Sequence, residues 1–161
     1  MTSTASRSER ASGADWPGSS ASARKFPGRG VKKPPYHVLV VDDEPLIRWS
    51  VTETLAELGL DAVQADCAAS ALHAITTTAL PFDVIVTDLR LPDMNDLSLV
   101  ATIRQLLPDT PLVLMTAFST PETIAEARRL GVRAVLHKPF ELGELVSLVM
   151  GHRVGHTGAF S

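Results

Sequence analysis

Five short apolar runs recur along the chain, and each is followed by a segment whose apolar residues have helical spacing. The runs cover residues 37–41, 62–65, 83–87, 111–116 and 132–136. A strand that is buried on both faces reads as a continuous apolar run of this kind. Alternation of such strands with helices is typical of a parallel sheet with helices on both faces. The sequence therefore predicts an α/β fold, a doubly wound five-stranded parallel sheet.

The segments between the runs carry helix signals at their ends. They predict helices over residues 45–58, 68–79, 96–107, 120–130 and 140–152. Gly59 and Gly131 stand where a helix C-cap favours glycine. Thr120 followed by Pro121 is a helix start, and Asp96 is the expected N-cap of the third helix.

The two ends of the chain lack any such periodicity. Residues 1–35 contain seven Lys/Arg and two Asp/Glu, a net charge of +5, whereas residues 36–161 have a net charge of −8. We expect a disordered basic tail over 1–35, one domain over 36–152 and a flexible C-terminal tail over 153–161. The acidic domain is a poor candidate for binding nucleic acid by charge. A basic arm suits contact with nucleic acid or a membrane surface, and its composition also resembles a transit peptide, although a flexible leader is the simpler interpretation.

The composition also limits where the protein is expected to act. No apolar stretch is long enough to span a membrane, and the N-terminus has no apolar core of a secretory signal. The single cysteine, Cys67, excludes an internal disulfide and is expected to be a small packing residue. These features predict a cytoplasmic protein with no membrane association.

Polar residues stand where the predicted strands end. They are Asp42, Asp43 and Glu44 after the first strand, Asp88 after the third, Thr116 at the end of the fourth and Lys138 after the fifth. Ligands of such a sheet bind beyond the carboxyl ends of its strands. Crowded carboxylates repel one another unless a cation lies among them, and Mg²⁺ suits oxygen ligands. An ionised carboxylate can attack phosphorus, while a hydroxyl and an ammonium group stabilise the transferring phosphoryl group.

Each of these residues also has a plainer interpretation. Asp42 and Asp43 are acids at a helix N-terminus, which the helix dipole favours. Thr116 is a β-branched strand residue, and Lys138 alone would be a solvated lysine. Four such coincidences at one sheet edge are needed for the plainer interpretation, so we favour the phosphoryl site.

Four segments of the chain resemble the signature stretches of response-regulator receiver domains. They are VLVVDDEPLIRWS, VTDLRLPDM, VLMTAFS and HKPF, in family order across about residues 36–152. The sequences of these segments are most similar to those of receivers from nitrogen-regulation-type activators. The resemblance implies a flavodoxin-like sheet with strand order 2-1-3-4-5. It also implies a two-component phosphorelay protein that receives a phosphoryl group from a histidine kinase or a phosphotransfer protein.

The resemblance implies a role for each site residue. Asp88 would be the phospho-acceptor. Asp43 and Asp88 would bind Mg²⁺ directly, together with the backbone carbonyl of Arg90, and Asp42 would bind it through a water molecule.

On the phosphoryl side of the same site, the resemblance implies three further features. Thr116 would reorient toward the aspartyl phosphate, and Lys138 would pair with it. The Lys138–Pro139 peptide bond would be cis.

Two positions depart from the common receiver pattern. Asp96 replaces the usual glycine eight residues beyond the acceptor, and Val135 replaces the usual aromatic residue three before the lysine. The alternative is therefore a phosphorylation-independent receiver-like interaction module. A phosphatase acting on another substrate is a weaker alternative, because no cap insertion is present. We also hypothesise that the bulk of Arg90 and Phe118, beside the pocket, lengthens the life of a phosphoryl group.

We expect no output domain after the last predicted helix, and therefore a stand-alone receiver that is not an enzyme beyond its own phosphorylation and dephosphorylation. It would signal through protein contacts to an unknown target. The resemblance implies that this target binds the surface of the fourth helix, fifth strand and fifth helix. No direct DNA binding is expected.

Overall fold

The computed structural model describes residues 35–158 of the chain, with side chains as far as residue 151. Strands and helices alternate throughout this part. The strands are β1 (His37–Val41), β2 (Asp61–Ala65), β3 (Val84–Asp88), β4 (Leu112–Thr116) and β5 (Ala134–His137). The helices are α1 (Pro45–Glu57), α2 (Ala68–Thr77), α3 (Ser98–Leu106), α4 (Pro121–Arg129) and α5 (Leu142–Gly158). The predicted α/β fold is confirmed.

The five strands form one parallel sheet in the order β2-β1-β3-β4-β5. β1 therefore lies between β2 and β3, and the direction of winding reverses at the boundary between β1 and β3. Val41 is opposite Thr87 at this boundary. Asp42 and Asp88, which follow these two residues, therefore lie side by side. The order confirms the one implied by the resemblance, and the reversal places these two acids where such sheets bind ligands.

The core consists of two layers, one on each face of the sheet. Successive strand residues point to opposite faces, so Leu39 packs in one layer and Val40 in the other. The first layer is covered by α2, α3 and α4, through residues such as Ile103. The second is covered by α1 and α5, through residues such as Leu55. Both faces are covered, which explains why the strands are continuous apolar runs.

The helix ends agree in part with the sequence. Gly59 and Gly131 have φ values of 86° and 88°, as a glycine C-cap requires. Thr120 accepts a hydrogen bond from the Thr123 amide and Pro121 begins α4, as predicted. Apart from the end of α5, the predicted bounds differ from those observed by two residues or fewer.

The prediction that Asp96 is the N-cap of a helix over 96–107 is wrong. α3 begins at Ser98, and Leu97 occupies the cap position. The Oδ1 atom of Asp96 accepts a hydrogen bond from the Ser98 amide at 2.9 Å. This short-range bond stabilises a turn in the preceding loop, which competes with continuing the helix backwards.

The last helix was also predicted with the wrong ends. It begins at Leu142, two residues after the expected start, because the Glu144 carboxylate accepts a hydrogen bond from the Glu141 amide before the first turn. Its backbone continues to Gly158, six residues beyond the predicted end at residue 152. No proline in this stretch blocks the helix. Residues 159–161 and the predicted basic tail, up to residue 34, lie outside the described residues.

None of the helices formed by residues 35–158 is long and apolar enough to cross a membrane.

Candidate functional site

The side chains of three strand ends meet around one lysine at the carboxyl edge of the sheet. The Nζ atom of Lys138 lies 2.9 Å from Oδ2 of Asp42 and 3.1 Å from Oδ2 of Asp88. It also lies 2.9 Å from Oε1 of Glu44. Asp42, Asp88 and the Lys138 side chain are all nearly inaccessible to solvent. The structure therefore brings together the acids and the lysine that the sequence assigned to one site.

Three carboxylates of this edge are close enough to share a cation. One oxygen each from Asp42, Asp43 and Asp88 lies within 4.8 Å of the other two. Asp42 and Asp88 are buried and Asp43 is exposed, so the cluster opens to solvent on one side. An all-oxygen donor set with an open side fits Mg²⁺, which keeps several waters when it binds protein.

Backbone hydrogen bonds orient both buried carboxylates in the same way. Oδ1 of Asp42 accepts from the Glu44 amide at 2.9 Å, and Oδ1 of Asp88 accepts from the Arg90 amide at 3.3 Å. In each residue the other oxygen, Oδ2, faces Lys138. The main chain beyond Asp42 is held in turn by Arg48, whose Nη1 donates to the Asp42 carbonyl at 2.6 Å. These hydrogen bonds stabilise the loop after β1.

Burial and ion pairing have opposing effects on the charges of the site. Burial raises the pKa of the Asp42 carboxyl, although hydrogen bonds from the Glu44 amide and from Lys138 partly offset the effect. Burial lowers the pKa of the Lys138 ammonium, but its hydrogen bonds to Asp42 and Glu44 have a larger effect together, and the pKa lies above its usual value. Lys138 is therefore charged at neutral pH.

Thr116 reaches the same edge, with its hydroxyl engaged in the loop that follows β4. Its Oγ1 donates to the Phe118 carbonyl at 2.7 Å and accepts from the Phe118 amide at 3.1 Å. Because a hydroxyl has one donor, Thr116 can donate to another acceptor only if it gives up the bond to the carbonyl. The Thr116 carbonyl accepts from the Lys138 amide at 2.8 Å, which fixes β5 beside it. The Lys138–Pro139 bond is cis, as the resemblance implied.

Arg90 and Phe118, which follow Asp88 and Thr116 by two residues each, contact one another. The guanidinium carbon of Arg90 lies 5.6 Å from the centroid of the Phe118 ring, within the range of a cation–π contact. The ring is 68% exposed. Both residues also line a groove of about 850 Å³ between the β3–α3 loop and α4. The two residues that depart from the receiver pattern lie apart from the acidic cluster in the fold. Asp96 lines this groove, and Val135 is a half-buried residue of β5.

Two contributors to the site were not assigned a role from the sequence. Glu44 was noticed only as an acid at a strand end, and its ion pair with Lys138 spans 94 residues of the chain. Arg48 lies one helical turn after Glu44, and its Nε also donates to Gln64 of β2 at 3.0 Å. No local pattern signals either contact.

Comparison with known proteins agrees with this geometry. Residues 38–150 match the family described as the response regulator receiver domain. The response regulator protein PilR of Pseudomonas aeruginosa is 40% identical over 111 residues, which are 69% of this chain and 24% of that protein. The DNA-binding transcriptional regulator NtrC of Escherichia coli strain K12 is 37% identical over 112 residues, 70% of this chain and 24% of that protein. The chain thus spans about a quarter of the length of the curated relatives it matches.

A solved structure of similar extent also matches. The receiver domain of the Francisella response regulator 1452 is 31% identical with a TM-score of 0.66, and the match covers 72% of this chain and 94% of that one. The matched region contains the whole carboxyl edge described above, and it coincides with the family signatures seen in the sequence. The chain belongs to the response regulator receiver domain family of two-component systems.

Proposed function

We propose that this domain is a phospho-accepting receiver in which Asp88 takes a phosphoryl group from a histidine kinase or a phosphotransfer protein. The observation that carries the proposal is the placement of Lys138 within 3.1 Å of Oδ2 of Asp88, beside an acidic cluster that is open to solvent. An ionised carboxylate is a nucleophile toward phosphorus, and Lys138 places an ammonium group beside that of Asp88.

The transfer step follows from the chemistry of Asp88. One of its oxygens attacks phosphorus, and the bond between phosphorus and the departing imidazole nitrogen of a phosphohistidine breaks. The imidazole keeps the electron pair and takes up a proton from solvent. Lys138 stabilises the negative charge of the phosphoryl oxygens, and the Thr116 hydroxyl donates to one of them after leaving the Phe118 carbonyl.

The acidic cluster supplies the metal ligands of the proposed site. Asp43 and Asp88 would hold Mg²⁺ directly with the backbone carbonyl of Arg90, and Asp42 would hold it through water. Bound Mg²⁺ would neutralise part of the charge that accumulates on the phosphoryl oxygens. This role requires the carboxylates to be ionised, and Lys138 favours that state at Asp42.

The output of the domain is proposed to be a protein contact. A target would bind the surface formed by α4, β5 and α5, in the cytoplasm, without direct DNA binding by this domain. The domain would catalyse no reaction other than its own phosphorylation and dephosphorylation. In receiver domains the aromatic residue that is usual at position 135 rotates on activation. Val135 cannot make that rotation, so we expect Thr116 and the loop containing Phe118 to move instead.

Incubation with acetyl phosphate and Mg²⁺ tests the proposal. We expect intact-protein mass spectrometry to show the addition of one phosphoryl group, lost in Asp88→Asn and retained in Asp109→Asn, an acid at the opposite edge of the sheet. Absence of labelling, or labelling that persists in Asp88→Asn, would contradict the proposal. Failure to label would instead favour a phosphorylation-independent interaction module.

A further inference from the structure

The three hydrogen bonds of Lys138 use up its capacity to donate. An ammonium group has three N–H donors. They are directed to Asp42, Glu44 and Asp88, at 2.9, 2.9 and 3.1 Å. A phosphoryl oxygen that is to receive a hydrogen bond from Lys138 therefore has to displace one of these three carboxylates.

The three carboxylates differ in what their displacement costs. Asp42 is fully buried, and Asp88 carries the phosphoryl group itself. The Glu44 side chain is 55% exposed. A released Glu44 carboxylate regains water, whereas a released Asp42 carboxylate would remain buried without its charged partner, which is costly. Glu44 is thus the ligand of Lys138 that leaves with the smallest loss of free energy.

We propose that Glu44 acts as an exchangeable latch, a positioning residue that holds Lys138 in the unphosphorylated domain and competes with the phosphoryl group for it. This rests on the function proposed above. Glu44 also places a negative charge within reach of the incoming phosphoryl group, which repels it. Both effects slow phosphorylation and lower the occupancy of the phosphorylated state.

The position of Glu44 makes the latch separable from the acidic cluster. The three acids close enough to share a cation are Asp42, Asp43 and Asp88, and within the described residues Glu44 is not one of them. The Glu44 amide, not its side chain, holds Asp42. Replacement of Glu44 by glutamine therefore leaves the nucleophile, the cluster and the loop hydrogen bond in place.

The first test measures labelling by acetyl phosphate and Mg²⁺ in wild type, Glu44→Gln and Glu57→Gln. Glu57 is an exposed acid at the far end of α1, so this control makes the same change in net charge away from the site. We expect Glu44→Gln to be phosphorylated roughly threefold to tenfold faster, the effect of one partly screened charge at a few ångströms, and Glu57→Gln to match wild type. Equal rates in all three proteins would overturn the latch while leaving the receiver function intact. A wild type that takes no phosphoryl group would overturn both.

The second test requires no phosphorylation and no metal. The urea midpoints of wild type, Glu44→Gln, Lys138→Met and the double variant form a cycle that isolates the coupling of the two residues. We expect Glu44→Gln to be more stabilising, or less destabilising, in the Lys138→Met background, where only repulsion from the other acids remains. Additive shifts of the midpoint would show that the Glu44–Lys138 pair has no coupling, and the latch would be overturned.

Discussion

The Nζ atom of Lys138 lies 3.1 Å from Oδ2 of Asp88, although 50 residues separate them in the chain. The pair joins the end of β3 to the residue after β5, across the intervening β4. Lys138 also pairs with Asp42, and the Asp43 carboxylate lies in the same cluster. One ammonium group therefore faces several carboxylates. The domain without a cation therefore retains uncompensated repulsion at this edge.

Asp43→Asn is expected to stabilise the metal-free domain and to weaken its response to Mg²⁺. Asp43 is exposed, and its carboxylate lies in the cluster with Asp42 and Asp88. Removing its charge relieves repulsion by about 1 kcal/mol or less at a solvent-accessible position. Urea denaturation with EDTA should give a higher free energy of unfolding for the variant than for wild type. Addition of Mg²⁺ should raise the stability of wild type more than that of the variant; an equal rise would contradict the assignment of Asp43 as a ligand.

The carboxyl edge of the sheet was predictable because it depends on local signals. Each strand is a continuous apolar run that ends at a charged or hydroxyl residue, and parallel strands place those ends together. Asp42, Asp88, Thr116 and Lys138 consequently lie at one edge, as expected.

Contacts that depend on side-chain reach were not predictable. Glu44 approaches Lys138 only because β1 and β5 end near each other, and nothing in the sequence around Glu44 indicates this. The predicted start of α3 was wrong because the Asp96 side chain accepts a hydrogen bond from the Ser98 amide in a turn before the helix. The sequence pattern alone suggests a helix cap at Asp96. The end of α5 was wrong because glycines weaken a helix without stopping it.

Acidification is expected to destabilise the domain partly through Asp93. Its two carboxylate oxygens accept hydrogen bonds from the Ala68 and Ala69 amides, at 2.8 and 2.9 Å, at the start of α2. The bond from Ala68, followed by that from Ala69, lowers the pKa of Asp93 below the ordinary 3.8. A lowered folded-state pKa means that this stabilisation is complete above the unfolded pKa and is lost as the pH falls through the folded one.

The measurement for Asp93 is the pH dependence of the free energy of unfolding. Asp93→Asn should be less stable than wild type at neutral pH, and the two curves should converge as the pH falls below about 4. Parallel curves throughout the acidic range would show that Asp93 does not contribute by its ionised form.

Arg90 and Phe118 are expected to slow the loss of the phosphoryl group if Asp88 is phosphorylated. Their side chains contact each other two residues beyond Asp88 and Thr116, and we expect their bulk to restrict the approach of the water that attacks the acyl phosphate. Arg90→Ala and Phe118→Ala should each shorten the half-life of the phosphorylated domain, measured after removal of acetyl phosphate. Phe118→Leu is the matched control, since it keeps apolar bulk without the ring. Half-lives unchanged in both alanine variants would contradict this role for the Arg90–Phe118 pair.

Arg104 joins the carboxyl ends of α3 and α4. Its Nε donates to the Leu130 carbonyl at 3.0 Å and its Nη2 to the Gly131 carbonyl at 3.2 Å. Its Nη1 lies within hydrogen-bond distance of three carbonyls that follow α3, those of Leu107, Pro108 and Thr110. This one side chain therefore donates to carbonyls that follow both helices and links them to the loop before β4.

Gly131→Ala should therefore destabilise the domain more than Gly59→Ala does. Both glycines have positive φ, so either substitution costs about 1–2 kcal/mol in backbone strain. A Cβ at residue 131 would lie 3.2 Å from Nε of Arg104, whereas a Cβ at residue 59 would meet nothing within 4 Å. The displaced guanidinium should add about 1 kcal/mol for weakened hydrogen bonds. Urea denaturation measures the difference, which should vanish in an Arg104→Ala background; a difference that persists there would assign the cost to the backbone at Gly131 alone.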